Sequence, residues 1–261
     1  MKTYRAGIVG LGRIGVEFED CHLSAYRDCP RTELVMLCDS NEEKVKLWQG
    51  YEIMPFEVYS DYMQAVKSMN LDIVSICTPP ETHCKIVCDI APFVKALYCE
   101  KPIAMNRSEC FLIAEACQRN HTILQVNHQR RFINPVFYYS RGIMNTGTHM
   151  FDLLGMLNPD ISVIDIIKAE KIGDFNGDPL ISGEVRMGKT VIRIEALKTE
   201  EPVFKFCPSE ILPGQRPLLE GVKSLVKSLD KGLTLPLKSD WRDGMQAIDM
   251  VNKFIEKGED T

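Results

Sequence analysis

Three glycines near the N-terminus constrain the fold more than any other feature of this 261-residue chain. Gly10, Gly12 and Gly15 form a G-x-G-x-x-G pattern directly after the apolar segment 6–9. In a dinucleotide-binding turn the first glycine permits the tight turn, the second lets the backbone approach a pyrophosphate and the third allows close packing of helix on strand. Because the pattern follows a predicted strand and opens a predicted helix, it indicates such a turn rather than an ordinary glycine-rich loop.

The first half of the sequence alternates short apolar runs with amphipathic stretches. Short unbroken apolar runs suit strands that are covered on both faces. Strands are predicted at 6–9, 33–38, 72–77, 96–99 and 122–126, and helices at 14–27, 41–49, 61–69, 81–90 and 107–119. This βαβ rhythm predicts a Rossmann domain of the α/β class, with a doubly wound parallel sheet, over residues 1–127.

After residue 127 the pattern changes. Strands are predicted at 161–170, 180–187 and 190–198, with a tight turn at Gly188 and Lys189, and helices at 217–229 and 240–257. Strands grouped together and followed by helices indicate an α+β domain with a mainly antiparallel open sheet. We therefore expect a second domain over residues 128–261, for substrate binding and oligomerisation, whose last helix can pack back on the first domain.

Composition excludes several classes of protein. The net charge of −5 and the pI of about 5.6 argue against a nucleic-acid-binding surface. No apolar run reaches the roughly 18 residues that a membrane span needs, and the N-terminus leads straight into a strand rather than into a signal peptide. The ten cysteines include no Cys-x-x-Cys spacing. We therefore expect a reduced cytoplasmic protein with no metal site.

Asp39 follows the second predicted strand, where a Rossmann carboxylate binds the adenosine ribose. A carboxylate there favours NAD, because it would repel a 2′-phosphate, although NADP stays possible. The alternative role for Asp39 is a helix cap before Asn41. Arg13 and Ile14 lie inside the glycine turn and are assigned to the cofactor site, where Arg13 could contact a phosphate or remain a surface arginine.

Two further predicted strands end in unusual sequences. Thr78 and Pro79 begin the segment TPPETH after the strand at 72–77, and Glu100 and Lys101 follow the strand at 96–99. In an open α/β sheet, ligands bind outside the carboxyl ends of the strands. Lys101 is therefore a candidate acid or base at the mouth of the cofactor site, and the alternative is a solvated surface lysine.

Five segments together resemble the glucose–fructose oxidoreductase/inositol dehydrogenase (Gfo/Idh/MocA) family: GIVGLGRIG, CTPPETH, CEKPIA, NHQRRF and NTGTHMFDLL. The resemblance spans the first domain and reaches into the second. It implies that Lys101 is a catalytic residue near the nicotinamide and that the peptide bond after it is cis. It also implies that Thr78, Pro79 and His83 lie on a cofactor-contacting loop. Glu100 would sit beside the nicotinamide.

In the second domain the family has an acidic residue four positions before a histidine. This chain has His149, but Asn145 replaces the acid. An asparagine can position a hydroxyl group but cannot accept its proton. His149 can still act as acid or base, with Asp152 orienting it or holding its helix, and the alternative is a histidine packed at a helix start.

The resemblance implies hydride transfer between a carbinol carbon and the nicotinamide of NAD. Lys101 and His149 would handle the hydroxyl proton, and Asn145 would orient the substrate. Family substrates are mostly sugars, cyclitols and their derivatives, including nucleotide-linked ones. Asn127, Arg130 and Arg131 could bind such a small molecule. The family also implies a homo-oligomer, a dimer or a tetramer, formed through the open face of the second sheet.

The chain is shorter than family members usually are, and the shortfall lies in the second domain. Between NHQRRF and YYSRG, and after VFKF, elements that the family has are missing from the sequence. Two other functions therefore stay open. One is a non-catalytic NAD-binding sensor or regulatory subunit, which Asn145 and the shortened domain favour. The other is a reductase of a non-sugar substrate, such as a linear tetrapyrrole or an imine.

Overall fold

A computed structural model describes residues 2–51, 55–129, 136–141, 164–187, 190–201, 203–207, 216–236 and 238–249. The described residues form two compact units. The first unit draws on Met1–Phe132 and Arg216–Thr261, and the second on Ile133–Gln215. In the described part of the chain, no helix is long and apolar enough to span a bilayer.

The first unit contains a six-stranded sheet in the order β3-β2-β1-β4-β5-β6, and all of its strand pairs are parallel. Its strands are β1 (Tyr4–Val9), β2 (Thr32–Cys38), β3 (Glu57–Tyr59), β4 (Ile73–Ile76), β5 (Ala96–Cys99) and β6 (Ile123–Val126). This is the strand order of a Rossmann fold. The predicted α/β class is therefore confirmed, and the short edge strand β3 is an addition that the sequence did not reveal.

Helices cover both faces of this sheet. They are α1 (His22–Asp28), α2 (Glu42–Gln49), α3 (Tyr62–Ser68), α4 (Pro80–Ile90), α5 (Arg107–Arg119) and α6 (Pro217–Asp230), and residues 241–249 are also helical. Every residue of β4, β5 and β6 is buried, and the buried apolar side chains form two clusters. Burial on both faces explains why these strands read as unbroken apolar runs.

The single helix predicted over residues 14–27 is wrong. The chain instead forms a π-helical turn, Arg13–Glu17, and then starts α1 anew. Cys21 caps α1, because its sulfur accepts from the backbone of Ser24 while the Ser24 hydroxyl accepts from the Cys21 N–H. Such reciprocal capping satisfies two backbone donors at a helix start. Cysteine is not among the residues preferred at this capping position, so the sequence did not predict a helix start at residue 22.

The α6 helix belongs to the first unit, whereas the sequence-based boundary at residue 127 placed it in the second domain. Its apolar face joins the core of the Rossmann sheet through Leu218, Val222, Leu225 and Val226. Gly221 lets α6 approach the sheet closely, because a Cβ at this position would stand 2.0 Å from the hydroxyl of the buried Tyr98. Residues 216–249 thus belong with the first unit because of how they pack in space, and a single boundary along the sequence does not describe this arrangement.

The second unit contains a five-stranded sheet in the order β11-β7-β10-β9-β8. Its strands are β7 (Val136–Tyr139), β8 (Ile164–Phe175), β9 (Asp178–Met187), β10 (Thr190–Ala196) and β11 (Phe204–Cys207). Only the pair β7–β10 is parallel, so the predicted mainly antiparallel sheet is confirmed. The hairpin β8–β9 turns at Asn176 and Gly177, both with positive φ. The turn predicted at residues 188–189 lies outside the described residues.

We expect Gly221→Ala to lower the free energy of unfolding by about 1–3 kcal/mol, because the added methyl group collides with the Tyr98 ring in a packed core. Urea unfolding would measure the change. Gly50→Ala is the matched control, since a Cβ at Gly50 meets its nearest neighbour at an ordinary 3.4 Å. A Gly221→Ala variant as stable as the wild-type protein would show that α6 does not pack on Tyr98 in this way.

Candidate cofactor and active site

The glycine turn has the geometry that its sequence pattern requires. Gly10 has a φ of +100°, and a Cβ there would stand 2.6 Å from the carbonyl carbon of Cys77. A Cβ on Gly15 would stand 2.3 Å from the Gly10 oxygen. At Gly12 the nearest atom to such a Cβ is the Lys44 ammonium, 4.0 Å away. Close packing therefore leaves no room for a side chain at Gly10 or Gly15. At Gly12 the space beside the backbone is open.

Asp39 joins the end of β2 to the glycine turn. Its Oδ2 accepts a hydrogen bond from the Leu11 N–H at 2.7 Å, and its Oδ1 accepts one from the Asn41 N–H at 2.9 Å. The cap of α2 is Asn41, whose side chain accepts from two N–H groups of the first turn. The helix cap and the carboxylate beside the glycine turn are thus two different residues.

The glycine turn and Asp39 line one cleft of about 700 Å³, a volume within the usual range for a small-molecule site. The cleft lies at the carboxyl ends of β1, β2 and β4. Of the residues predicted to bind the cofactor, it brings together Gly10, Gly12, Asp39, Thr78 and Pro79.

The cleft also contains side chains that the sequence did not reveal, and three of them carry a charge or a phenol. Lys44, Tyr62 and Lys85 also line it, and they come from the first turns of α2 and α3 and from the middle of α4. No motif marks these positions, because their approach to the cleft depends on how each helix packs on the sheet. Lys85 donates to Asp89 at 2.5 Å and to the Tyr62 hydroxyl at 3.1 Å.

Two residues of the glycine turn point elsewhere. The guanidinium carbon of Arg13 lies 4.7 Å from the centre of the Phe18 ring, a cation–π contact. Ile14 is half-buried and packs against the core cluster beneath the turn. The lining of the cleft contains neither side chain, so a cofactor contact by either stays a prediction.

His83 is fully buried beneath the loop that follows β4. Its Nδ1 lies 2.8 Å from the carbonyl oxygen of Pro102, and its Nε2 lies 2.8 Å from that of Thr78. The ring thereby connects the loop that lines the cleft with the loop that carries Lys101. This arrangement supports a positioning role for His83.

Lys101 follows the carboxyl end of β5, and its side chain is exposed. The Lys101–Pro102 peptide bond is cis, as the family resemblance implied. The strands β5 and β4 are neighbours, and the Glu100 N–H donates to the Ile76 oxygen at 2.9 Å. Lys101 therefore lies at the same edge of the sheet as the loop of Thr78.

The side chain of Glu100 is buried and its carboxylate is fully engaged. Oε1 lies 3.0 Å from Nε2 of His22 and also accepts from the Asn127 amide, and Oε2 accepts from the Lys101 N–H at 3.3 Å. Burial raises the pKa of Glu100, but the hydrogen bonds from His22 and Asn127 outweigh it, so the pKa lies below its ordinary value. Glu100 is thus a buried carboxylate beneath the Lys101 loop.

The hydrogen bonds continue away from Glu100 in both directions. On one side His22 Nδ1 lies 2.7 Å from the Ser75 hydroxyl, which lies 2.7 Å from the hydroxyl of Tyr26. On the other side the Tyr98 hydroxyl donates to the Asn127 oxygen at 2.7 Å. Burial raises the pKa of both tyrosines well above its ordinary value, so both phenols stay neutral. We define these six side chains (Tyr26, Ser75, His22, Glu100, Asn127 and Tyr98) as the buried network.

The remaining site predictions separate into two groups. Asn127 is only 1% exposed, and its side-chain amide accepts from Tyr98 and donates to Glu100 within the buried network. Its predicted contact with substrate therefore has no support in the structure. The other residues lie outside the described residues: Arg130, Arg131, Asn145, His149 and Asp152. Their roles stay predictions. Among the described residues, no group of three or more His, Cys, Asp or Glu side chains could hold a metal ion.

Comparison with known proteins agrees with this geometry. Residues 4–128 match the model of an oxidoreductase family with an NAD-binding Rossmann fold, GFO_IDH_MocA. The chain is 30% identical over 133 residues to the rhizopine catabolism protein MocA of Rhizobium meliloti, a match that covers 51% of this chain and 40% of that protein. It is 28% identical over 131 residues to myo-inositol 2-dehydrogenase of Thermotoga maritima, covering 49% of this chain and 37% of that one. The matched part is thus less than half the length of either relative.

Solved structures extend the similarity of fold to nearly the whole chain. The aldose-aldose oxidoreductase of Caulobacter crescentus, complexed with glycerol, superposes with a TM-score of 0.60 at 14% identity and covers 99% of this chain and 98% of its own. The WlbA dehydrogenase of Bordetella pertussis, in complex with NADH and UDP-GlcNAcA, has a TM-score of 0.56 at 17% identity, covering 96% and 94%. At these identities the likeness establishes the fold.

The lowered pKa of Glu100 predicts a pH-dependent contribution to stability. A carboxylate whose folded pKa is depressed stabilises the fold above its unfolded pKa of about 4.3, and this stabilisation is lost as the pH falls through the folded pKa. We expect Glu100→Gln to lower the free energy of unfolding at pH 7 by about 1–3 kcal/mol, because His22 loses a charged partner. The difference in unfolding free energy between wild type and variant should shrink as the pH falls below about 5, because carboxylates become protonated there.

Urea unfolding at several pH values would measure this difference. Glu81→Gln is the control, because Glu81 lies in the first turn of α4, outside the buried network. A difference between wild type and Glu100→Gln that stays constant from pH 7 to pH 3 would contradict an ionised Glu100 in the folded protein.

Proposed function

We propose that this chain, whose residues 4–128 match the family model, is an NAD(P)-dependent dehydrogenase of the Gfo/Idh/MocA oxidoreductase family. Its substrate would carry a hydroxyl-bearing carbon in a sugar, a cyclitol or a nucleotide-sugar. The observation that carries the proposal is the cleft that the open backbone of Gly12 and the carboxylate of Asp39 both line. Lys101 lies at the same edge of the sheet, next to the loop of Thr78.

The residues of the cleft fit a dinucleotide. Gly12 would let the backbone approach a pyrophosphate, because no Cβ stands in the way. Asp39 would accept a ribose hydroxyl, and its two backbone hydrogen bonds hold it in position for this. Thr78 and Pro79 line the same cleft and would also contact the cofactor. When bound, the nicotinamide supplies the hydride chemistry, which no side chain can provide.

Lys101 would hold or donate the proton of the substrate hydroxyl. Its ammonium group is exposed at the end of β5, and its backbone N–H is tied to the buried carboxylate of Glu100. His83 would support it from below by joining the Pro102 and Thr78 loops. In this proposal Asn145 orients the substrate and His149 shares the proton transfer, with Arg130 as a further substrate contact.

The named relatives support the substrate class. One is a myo-inositol 2-dehydrogenase, and another, 28% identical over 132 residues, is the D-apiose dehydrogenase of Paraburkholderia graminis. Both names denote oxidation of polyhydroxylated small molecules. We also propose a homo-oligomer, as the family resemblance implies, and a reducing cytoplasmic setting, which the nine cysteines in the described part of the chain support, because all of them are free.

A second candidate function is an NAD-binding sensor without turnover. Asn145 favours it, because an amide cannot accept the substrate proton that the family's acidic residue would take. The exposed Lys101 favours the enzyme. The two functions share cofactor binding and differ only in whether reduced nicotinamide accumulates.

Cofactor binding is the first test. We expect the wild-type protein to bind NADH and Gly12→Val to weaken that binding by at least about tenfold, because the added side chain fills the space that the pyrophosphate needs. Titration of NADH fluorescence would measure both affinities. Since the added side chain projects into open space, the free energy of unfolding should change by less than about 1 kcal/mol. Unchanged NADH binding in the variant would refute this cofactor site.

Turnover is the second test. With NAD and a panel of sugars, inositols, sugar acids and nucleotide-sugars, we expect reduced nicotinamide to form with one class. Lys101→Ala should then lower kcat by about 10²–10⁴-fold, the usual contribution of a positioned acid or base. Lys223→Ala is a matched control, because this exposed lysine pairs with Glu220 and does not line the cleft. NADH binding without turnover on any substrate would favour the sensor.

A further inference from the structure

A second cavity lies in the first unit, away from the cofactor cleft. Its volume is about 370 Å³, within the usual range for a small-molecule site. It is bounded by the end of α5, the start of β6 and the first residues of the helical stretch 241–249. Because β4, β5 and β6 are parallel neighbours, the start of β6 and the carboxyl end of β4 lie at opposite edges of the sheet. Accordingly, the second cavity and the cofactor cleft share no lining residue in the described part of the chain.

Buried side chains give the second cavity an apolar floor. Cys117 and Leu124 line it, and both are buried members of one core cluster. Thr122 also lines it, but its hydroxyl donates to the backbone oxygen of Ala91 at 2.7 Å and is thus already used. Such a floor favours an apolar group of a ligand, because binding there removes apolar surface from water.

The wall adds apolar surface that the protein leaves accessible. Leu235 lines the cavity and is 39% exposed. Trp241 also lines it and is half-buried, and the centre of its ring lies 6.2 Å from the centre of the Phe111 ring. An indole held in this way is a surface on which the ring of a ligand can pack.

A cation stands beside this indole. Arg242 lines the cavity, and its guanidinium carbon lies 4.9 Å from the centre of the Trp241 ring. Arg242 donates to Asp240 at 2.8 Å, which leaves other N–H groups of the guanidinium for a ligand. The Arg242 side chain is 56% exposed, so this bond is a surface ion pair of small energy. Of the described residues that line the cavity, none is acidic.

Two more polar side chains line the cavity at the end of α5. Within the described part of the chain, the Gln118 amide and the His121 ring make no hydrogen bond. His121 has a φ of +55° just after the helix end, a left-handed conformation at a position where glycine is usual. A glycine there would present no side chain to the cavity, whereas His121 presents a ring. Backbone strain of this kind is concentrated at ligand sites.

We propose that the second cavity binds a small molecule in which an apolar ring carries a carboxylate group. The ring packs on Trp241 and Leu235 above the apolar floor. The carboxylate accepts hydrogen bonds from the guanidinium of Arg242, and the Gln118 amide is a further donor. The inference goes beyond the proposed function, because no residue of the dehydrogenase site takes part in it.

Cyclohexanecarboxylate is a suitable probe, because its ring is apolar and its carboxylate is ionised at neutral pH. Calorimetric titration of the wild-type protein should show saturable binding with a dissociation constant of about 1 mM or lower. Cyclohexanecarboxamide has nearly the same shape without the charge and should bind about tenfold more weakly. Equal affinity for the two compounds, or no saturable binding of the carboxylate, would overturn the inference.

Arg242→Met tests the proposed partner of the carboxylate. It removes the charge and should weaken binding of the probe by about tenfold. Arg119→Met is the matched control, because Arg119 is an exposed arginine of α5 that pairs with Glu115 and does not line the cavity. We expect the control to bind the probe as the wild-type protein does. Equal weakening in both variants would show unspecific attraction of an anion and would overturn the inference.

Tryptophan fluorescence locates the bound probe. The chain has two tryptophans, so Trp48→Phe leaves Trp241 as the reporter. Its emission should change with the dissociation constant that calorimetry gives. In a second variant, Ala114→Leu, the larger side chain projects from the wall and should weaken binding by at least about tenfold. Binding that leaves the Trp241 emission unchanged, or unchanged affinity in Ala114→Leu, would place the probe elsewhere and overturn the inference.

Competition with NADH separates this inference from the proposed function. Saturating NADH should change the affinity for the probe by less than about twofold, because the two sites lie at opposite edges of the sheet. Displacement of the probe by NADH would place it in the cofactor cleft, which would overturn the inference and support the proposed function. A protein that binds the probe as expected but never binds NADH would do the reverse.

Discussion

The close approach of the glycine turn to the backbone after β4 is the constraint on which the rest of the site depends. Gly10 adopts a φ of +100°, and a Cβ at this position would stand 2.6 Å from the carbonyl carbon of Cys77. Any side chain at Gly10 would therefore collide with main-chain atoms of the neighbouring strand end. This contact brings the end of β1 beside the end of β4. The Leu11 N–H then reaches Asp39, so the end of β2 joins the same edge. One cleft results from three strands that are distant in sequence.

The buried network supports the part of this edge that carries Lys101. Glu100 would be costly in a core if it stood alone, because burial penalises its charged form. His22, Asn127 and the Lys101 backbone together satisfy the carboxylate, and Ser75 and the two tyrosines continue the chain of hydrogen bonds on either side. Buried networks in which each member has partners hold a unique arrangement. The loop of Lys101 is thereby attached to the core rather than to solvent-exposed contacts.

The fold of the first unit was largely predictable because local signals agree with one another there. Apolar runs marked the buried strands, and the side chains of Asn41 and Asp61 cap the helices that were predicted to begin at these two residues. The prediction failed where the signal was weak or non-local. The break after residue 17 depends on a cysteine cap at Cys21 that propensities do not anticipate. The grouping of α6 with the first unit depends on Gly221 fitting against Tyr98, more than a hundred residues earlier in the chain.

Local sequence was enough to predict the glycine turn, the carboxylate at the end of β2 and the Glu100–Lys101 segment at the end of β5. These are properties of short segments whose backbone conformation follows from their own residues. The residues that surround these segments are set by packing between distant parts of the chain. This packing joined His22 to Glu100, enclosed Asn127 in the core and brought Lys44 beside Asp39. Such contacts depend on how helices and strands pack together, and packing distances between separate elements are not encoded in any local pattern.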